Sequence, residues 1–226
     1  MNVHSLGALA VSAGLLAAAP AHAALSSFTS KAAFDAAIAG LSSAQTVDFE
    51  SVAPGTTFPS GAGTGGLTFS YSISGPSTLQ VSDTFGTTSG SNYLGLDNPD
   101  TAFYLGDSFT INFNRTVHAI GLYLIAGRDA QAGDMKLAVT GGSVTNSGIA
   151  DTLVSDGQAF YLGLVESDIG LGFTSATVTG VFTPNAFLAF SADDITSAVS
   201  AVPEPGSWGL MLVGLGALSV LARRRR

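Results

Sequence analysis

From Thr46 onward, apolar and small polar residues alternate with a period of two. The run "LTFSYSIS" sets Leu67, Phe69, Tyr71 and Ile73 on one side, and "SFTINFN" does the same with Phe109, Ile111 and Phe113. In "HAIGLYLIAG" the residues Ile120, Leu122 and Leu124 share a face, and "MKLAVTGG", "AFYLGLVE", "SATVTGVFT" and "AFLAFSADDI" continue the series. Successive side chains of a strand point to opposite faces, so each run predicts a strand with an inner and an outer side. Clusters of Gly, Pro, Asn and Asp separate the runs, as in "APGTTFPSGAGTGG", "DNPD" and "GRDAQAGD". About eight or nine short strands punctuated in this way predict a mainly β protein, an antiparallel jelly-roll-like sandwich. One segment has a different period. Phe34, Ile38 and Leu41 fall at i, i+4 and i+7, predicting a short amphipathic helix over 30–39 packed on the sandwich. Thr29 or Ser30 would cap its start and Gly40 lies near its end, while Lys31 and Asp35 form an i,i+4 pair on its solvated side.

Both ends break the alternation. The stretch from Leu6 to Ala19 is apolar apart from Ser12 and is followed by Ala21-His22-Ala23, a small-x-small site. Residues 1–23 therefore predict a cleavable signal peptide for signal peptidase, although His4 stands where a lysine or arginine is usual. At the other end, 208–222 is apolar from Trp208 onward and would make a helix of roughly 22 Å, short of a hydrocarbon core of about 30 Å. Trp208 suits one membrane interface. Arg223, Arg224, Arg225 and Arg226 can snorkel at the other and hold the cytoplasmic side, so the body would face out from the inner membrane. Upstream, Pro203 and Pro205 keep Glu204 in an extended stretch that a processing enzyme can read. The predicted organisation is a signal peptide over 1–23, a β-sandwich over 24–200 and a tail over 201–226.

That tail, "VPEPGSWGLMLVGLGALSVLARRRR", resembles the PEP-CTERM sorting signal of Gram-negative bacteria. The resemblance implies recognition of Pro203, Glu204 and Pro205 by the membrane enzyme exosortase. It also implies transient anchoring through 208–222, and delivery to the cell surface or extracellular exopolysaccharide matrix. It says nothing of what the body does there.

Charge and composition narrow that question. The net charge of −8 conceals an asymmetry, since half of the eight basic residues sit in the last four positions. Residues 24–202 carry Lys31, Arg115, Arg128 and Lys136 against 15 carboxylates. A body this acidic repels a phosphate backbone, which argues against nucleic acid as a partner. With no cysteine, disulfides and thiolate chemistry are excluded.

Two acidic motifs stand out. "VDFES" places Asp48 and Glu50 on the first strand, two apart and hence on one side, and "FSADDITSA" places Asp193 and Asp194 at the close of the last. First and last strands of a sandwich often pair, so these four acids are candidate oxygen ligands for Ca²⁺. The motifs resemble those of calcium-stabilised jelly-roll domains, among them carbohydrate-binding modules and adhesive extracellular domains. The alternative is solvated charge that blunts edge-strand association. Asp97, Asp100, Asp107, Asp129 and Asp134 read as Asx-turn residues.

Catalytic constellations are sparse. His118 stands alone once His4 and His22 leave with the signal, and neither Gly-x-Ser-x-Gly nor Ser-x-x-Lys occurs. Asp48 and Glu50 have the spacing of a glycosidase pair, as do acids in any acidic sandwich. Tyr71, Tyr93, Tyr104, Tyr123 and Phe160 are aromatic candidates for stacking on sugars, although alternation assigns most of them to the core. The expectation is a non-enzymatic surface or matrix protein associated with exopolysaccharide or biofilm. The alternative is a carbohydrate-binding module or polysaccharide hydrolase on the same anchor.

Overall fold

The computed structural model describes residues 25–168, 170–181 and 188–200. The predicted signal segment, Pro203, Glu204, Pro205, the 208–222 stretch and the arginine block lie outside the described residues. Among the described residues no helix is long and apolar enough to cross a membrane.

In chain order the described elements begin with β1 (Leu25–Phe28), α1 (Lys31–Ile38), β2 (Ser42–Val47), β3 (Thr57–Phe58) and β4 (Leu67–Ser72). There follow β5 (Leu79–Ser82), β6 (Tyr93–Leu96), β7 (Phe103–Tyr104), β8 (Ser108–Val117) and β9 (Ala119–Ala126). The remainder are β10 (Met135–Val139), β11 (Gly142–Thr145), β12 (Thr152–Val154), β13 (Gly157–Glu166), β14 (Phe173–Gly180) and β15 (Ala189–Val199). A five-stranded sheet runs β11-β10-β14-β8-β4. A ten-stranded sheet runs β1-β13-β9-β15-β6-β5-β3, with β12 on β13 and with β2 and β7 on β15. Neighbours pair antiparallel, and the protein is mainly β with one helix. The strands outnumber the eight or nine expected. The surplus is short: β3, β7 and β12 are pairings of two or three residues within stretches whose turn residues hide any alternation.

One apolar cluster fills the space between the sheets. It joins Leu122, Leu124, Phe160 and Leu162 of the larger sheet to Phe109, Ile111, Leu137 and Val178 of the smaller. The inward residues are those of the period-two pattern, although Tyr71 and Ile73 are only half-buried at its edge. Strand β9 departs from the one-sided expectation, because all eight of its residues are buried. Its outer face carries Ala119, Tyr123 and Ile125. With Ala159, Tyr161 and Val165 of β13, these form a second cluster beneath Phe34 and Ile38 of α1.

The helix seats itself in a notch cut by glycine. Gly121 and Gly163 lie opposite each other across β9 and β13. A Cβ on Gly163 would sit 2.5 Å from Phe34 Cδ2, and one on Gly121 would sit 2.1 Å from the Tyr161 hydroxyl. With no side chain in either place, Phe34 reaches the sheet and packs on Tyr161 at 5.4 Å with the rings tilted by 55°, and Tyr161 meets Tyr123 edge-on at 5.1 Å. Ser30 is the N-cap by position, with extended backbone, and Ala39 closes the helix, one residue inside each predicted end. Lys31 and Asp35 pair at 2.6 Å on the exposed side, as their spacing predicts.

Candidate functional site

The four acids singled out from sequence gather at one end of the β2–β15 pair. Ile195 faces Val47 in that register, so the residues beyond Val47 lie beside Asp193 and Asp194. The convergence is as expected, but the local geometry is not. Strand β2 ends at Val47, and Asp48-Phe49-Glu50 is a turn, with Phe49 at φ 61° and its ring buried. Asp48 Oδ1 accepts the Glu50 amide at 3.2 Å, an Asx turn, so the two acids are not alternate residues of one strand. Asp193 and Asp194 are interior to β15, at an irregularity where its register against β9 shifts and Asp194 takes φ 51°. A bulge aims side chains that a regular strand would not.

These acids clamp the loop between β5 and β6. Asp193 is fully buried, and its Oδ2 accepts from Thr87 Oγ1 at 2.7 Å, Thr88 N at 3.1 Å and Ser89 N at 3.0 Å. The Thr88 hydroxyl bridges to Asp193 at 2.9 Å and Asp194 at 3.0 Å. On the other flank, Glu50 Oε1 accepts the amides of Ser91 at 2.8 Å and Asn92 at 2.7 Å. Asn92 returns its own amide to the carbonyls of Phe49 at 3.2 Å and Val52 at 2.9 Å, which fixes the strained turn. Between them, Gly90 has φ 41°, and a Cβ there would fall 2.2 Å from the Glu50 carboxyl carbon. Only glycine lets the loop lie against that carboxylate.

Burial, reinforced by the neighbouring Asp194 carboxylate, pushes Asp193 up to about 6, against the lowering effect of Thr87, Thr88 and the Asp194 amide. Among the described residues no group of three or more His, Asp or Glu side chains is placed to hold a metal ion. Of the oxygens proposed for Ca²⁺, those of Asp193, Asp194 Oδ2 and Glu50 Oε1 accept from loop hydroxyls and amides, and Asp48 Oδ1 accepts the Glu50 amide.

Loop aspartates accept backbone amides, Asp97 and Asp107 from distant segments rather than from Asx turns of their own. Asp97 accepts from Thr78 N, Asp107 from Ser74 N and Tyr104 N, and Asp134 from Gln131 N. His118 is buried, and its Nδ1 accepts the Ser200 amide at 3.1 Å. Of the aromatic candidates, Tyr93, Tyr123 and Phe160 are buried, while Tyr71 and Tyr104 are half-buried. Among the described residues the most open phenylalanine is one that alternation does not pick out: Phe85, 46% exposed, at the head of the clamped loop.

Phe85 borders a cavity of about 360 Å³ at the end of the ten-stranded sheet. Ile125, Val154 and Phe190 contribute apolar walls, from β9, β12 and β15. Asp100 and Asp156, both exposed, stand at its rim. Asp100 accepts the Tyr104 hydroxyl at 2.6 Å, which pushes that phenol up to about 12. Asp156 accepts the Gly86 amide at 3.2 Å and the Ser155 hydroxyl at 2.9 Å, tying the Phe85 loop to the β12–β13 hairpin. The sequence held one signal for this place, a lone large aromatic inside the turn-rich "SDTFGTTSG".

The fold and its termini define a β-sandwich body carrying a tail of separate character. Residues 201–226 match the PEP-CTERM protein-sorting motif. No curated protein matches the sequence at a significant level. Among solved structures, the chain is similar to the C-terminal family 22 carbohydrate-binding module of Clostridium thermocellum Xyn10B. Identity is 14% over 73% of this chain and 97% of that one, with a TM-score of 0.30, a likeness too slight to say what this chain binds.

Proposed function

We propose that the chain is the precursor of a non-enzymatic surface or matrix protein. It is exported through its N-terminal signal, held in the inner membrane by 208–222 with the body outside, and delivered by exosortase to the cell surface or exopolysaccharide. The observation that supports this reading is the sorting motif at 201–226, joined to a body with its own core. Pro203, Glu204 and Pro205 are the recognition residues, and the arginines are the stop. The sandwich, jelly-roll-like in the finer reading, is the cargo. Replacing Glu204 with alanine and removing the four arginines tests the assignment by cell fractionation. Loss of surface delivery is expected, and unchanged delivery refutes it.

The cavity favours a more specific version, in which the body is itself a carbohydrate-binding module. Partly apolar pockets with a few polar groups at the mouth are the usual form of small-ligand sites. A glycan array with the full chain in mild detergent separates the versions. Binding supports the module, and absence of binding leaves a purely structural matrix role. A reducing-sugar assay on any bound glycan closes the question of hydrolysis: turnover would contradict the non-enzymatic reading.

A further inference from the structure

Resting on the proposed association with polysaccharide, we propose that the cavity beside Phe85 binds a polysaccharide bearing free amino groups. Three features of the site point to that chemistry. First, its walls are apolar and its rim aromatic: Ile125, Val154 and Phe190 form the interior, and the exposed ring of Phe85 offers a surface for the C–H face of a sugar. Second, its charged lining residues are Asp100 and Asp156, and among the described residues no lysine, arginine or histidine lines it. An anionic glycan would meet two carboxylates in the lining, whereas an ammonium-bearing one is complementary to them. Third, the acids come from different loops, one before β7 and one before β13, and both stay exposed where a ligand lying across the mouth can reach them. Two carboxylates are fewer than the six to eight oxygens a calcium ion takes, whereas each can pair with one ammonium group of a sugar chain.

The placement fits as well. Ser191 lines the cavity, and Ser200 marks the exit toward the tail. They lie at opposite ends of β15, about 30 Å apart at about 3.3 Å per residue. The cavity is thereby set well along β15 from the residue that leads to the tail. The Phe85 loop is fixed there by Asp156 and by the Asp193 clamp, so the aromatic platform is pre-positioned.

The test uses the full chain in mild detergent and titration calorimetry with three neutral-backbone oligomers of equal length: a glucosamine hexamer at a pH where its amines are protonated, its N-acetylated counterpart, and a glucose hexamer. The glucosamine oligomer is expected to bind about tenfold or more tighter than either of the others, and to weaken with added salt. Asp100→Asn with Asp156→Asn should abolish that preference. Phe85→Ala, a change at an exposed position, should weaken binding with the melting temperature preserved. Equal affinity for all three oligomers, no binding of the glucosamine hexamer, or a preference that survives the double substitution would each overturn the proposal. So would tighter binding of a peptide ending in the four arginines, which would assign the cavity to the tail of a second copy. None of these outcomes bears on surface delivery, which the Glu204 and arginine variants test separately.

Discussion

Asp193 offers the sharpest physical test of the clamp. Its carboxylate is buried among Thr87, Thr88 and Ser89, with a pKa pushed up to about 6 from an ordinary value of 3.8. A proton held more tightly in the folded than in the unfolded chain stabilises the fold at low pH. That contribution is fully present below about pH 4 and is lost as the pH rises through about 6. About two pKa units at about 1.4 kcal/mol each amount to about 3 kcal/mol. Asp193→Asn supplies a neutral group of the same shape that does not titrate, so other groups cancel in the comparison. Urea melts of both proteins at pH 4, 5, 6 and 7 should therefore show the wild type losing about 3 kcal/mol relative to the Asn variant between pH 4 and 7. Asp193→Ala should be destabilised by about 3 kcal/mol at pH 4, because the loop donors lose their acceptor. In a chain of this size that lowers Tm by about 6–12 °C. A flat difference between wild type and the Asn variant, or one that favours the wild type as pH rises, would falsify the account. The loop donors would then outweigh desolvation, and the carboxylate would be ionised throughout.

The remaining predictions concern the helix seat and the cation. Gly163→Ala places a Cβ 2.5 Å from Phe34 and should cost about 1–3 kcal/mol in urea melts, with a loss of near-ultraviolet dichroism as the aromatic cluster shifts. Phe34→Ala empties the same notch and should cost about 3–5 kcal/mol. The buried Tyr161 hydroxyl has no hydrogen-bond partner among the described residues, so Tyr161→Phe should be neutral or stabilising by about 1 kcal/mol; a clear loss of stability would reveal a hidden partner. Because loop donors engage Glu50 and Asp193, adding Ca²⁺ or a chelator should leave Tm unchanged. A rise with Ca²⁺ that the chelator reverses would mean that Asp48, Glu50, Asp193 and Asp194 regroup around a cation.

The fold was legible where side-chain period alone decides it. Leu67, Phe69, Phe109, Ile111, Ile120, Leu122 and Leu124 are all core residues, and Phe34 and Ile38 are the buried face of the helix. Strand β9 also carried a second signal: the residues between its large apolar ones are Ala, Gly and Tyr rather than charged, as befits a strand covered on both sides. The meeting of the two acidic motifs followed from pairing of early and late strands, but the role of the acids did not. Their partners are Thr87, Thr88, Ser89, Ser91 and Asn92, a polar stretch without period whose contacts to Asp193 span about a hundred positions. Turn geometry at Phe49 and the irregularity at Asp194 depend on those contacts, so spacing along an assumed strand misplaced both pairs of acids. Phe85 and Asp156 carry no periodic signal for a related reason, since a cavity formed by five loop and strand ends has no signature in any one of them.

Intact mass and N-terminal sequencing of the chain in its native host, with and without exosortase, most directly test the claim that 201–226 is an address attached to a β-sandwich. In exosortase-positive cells, the account predicts surface-released protein that begins at Ala24 or Leu25 and lacks the arginine block. Without exosortase, it predicts cell-retained protein that keeps that block. An intact chain of 226 residues in the cytosol of both strains, still bearing Met1 and Arg226, would contradict it.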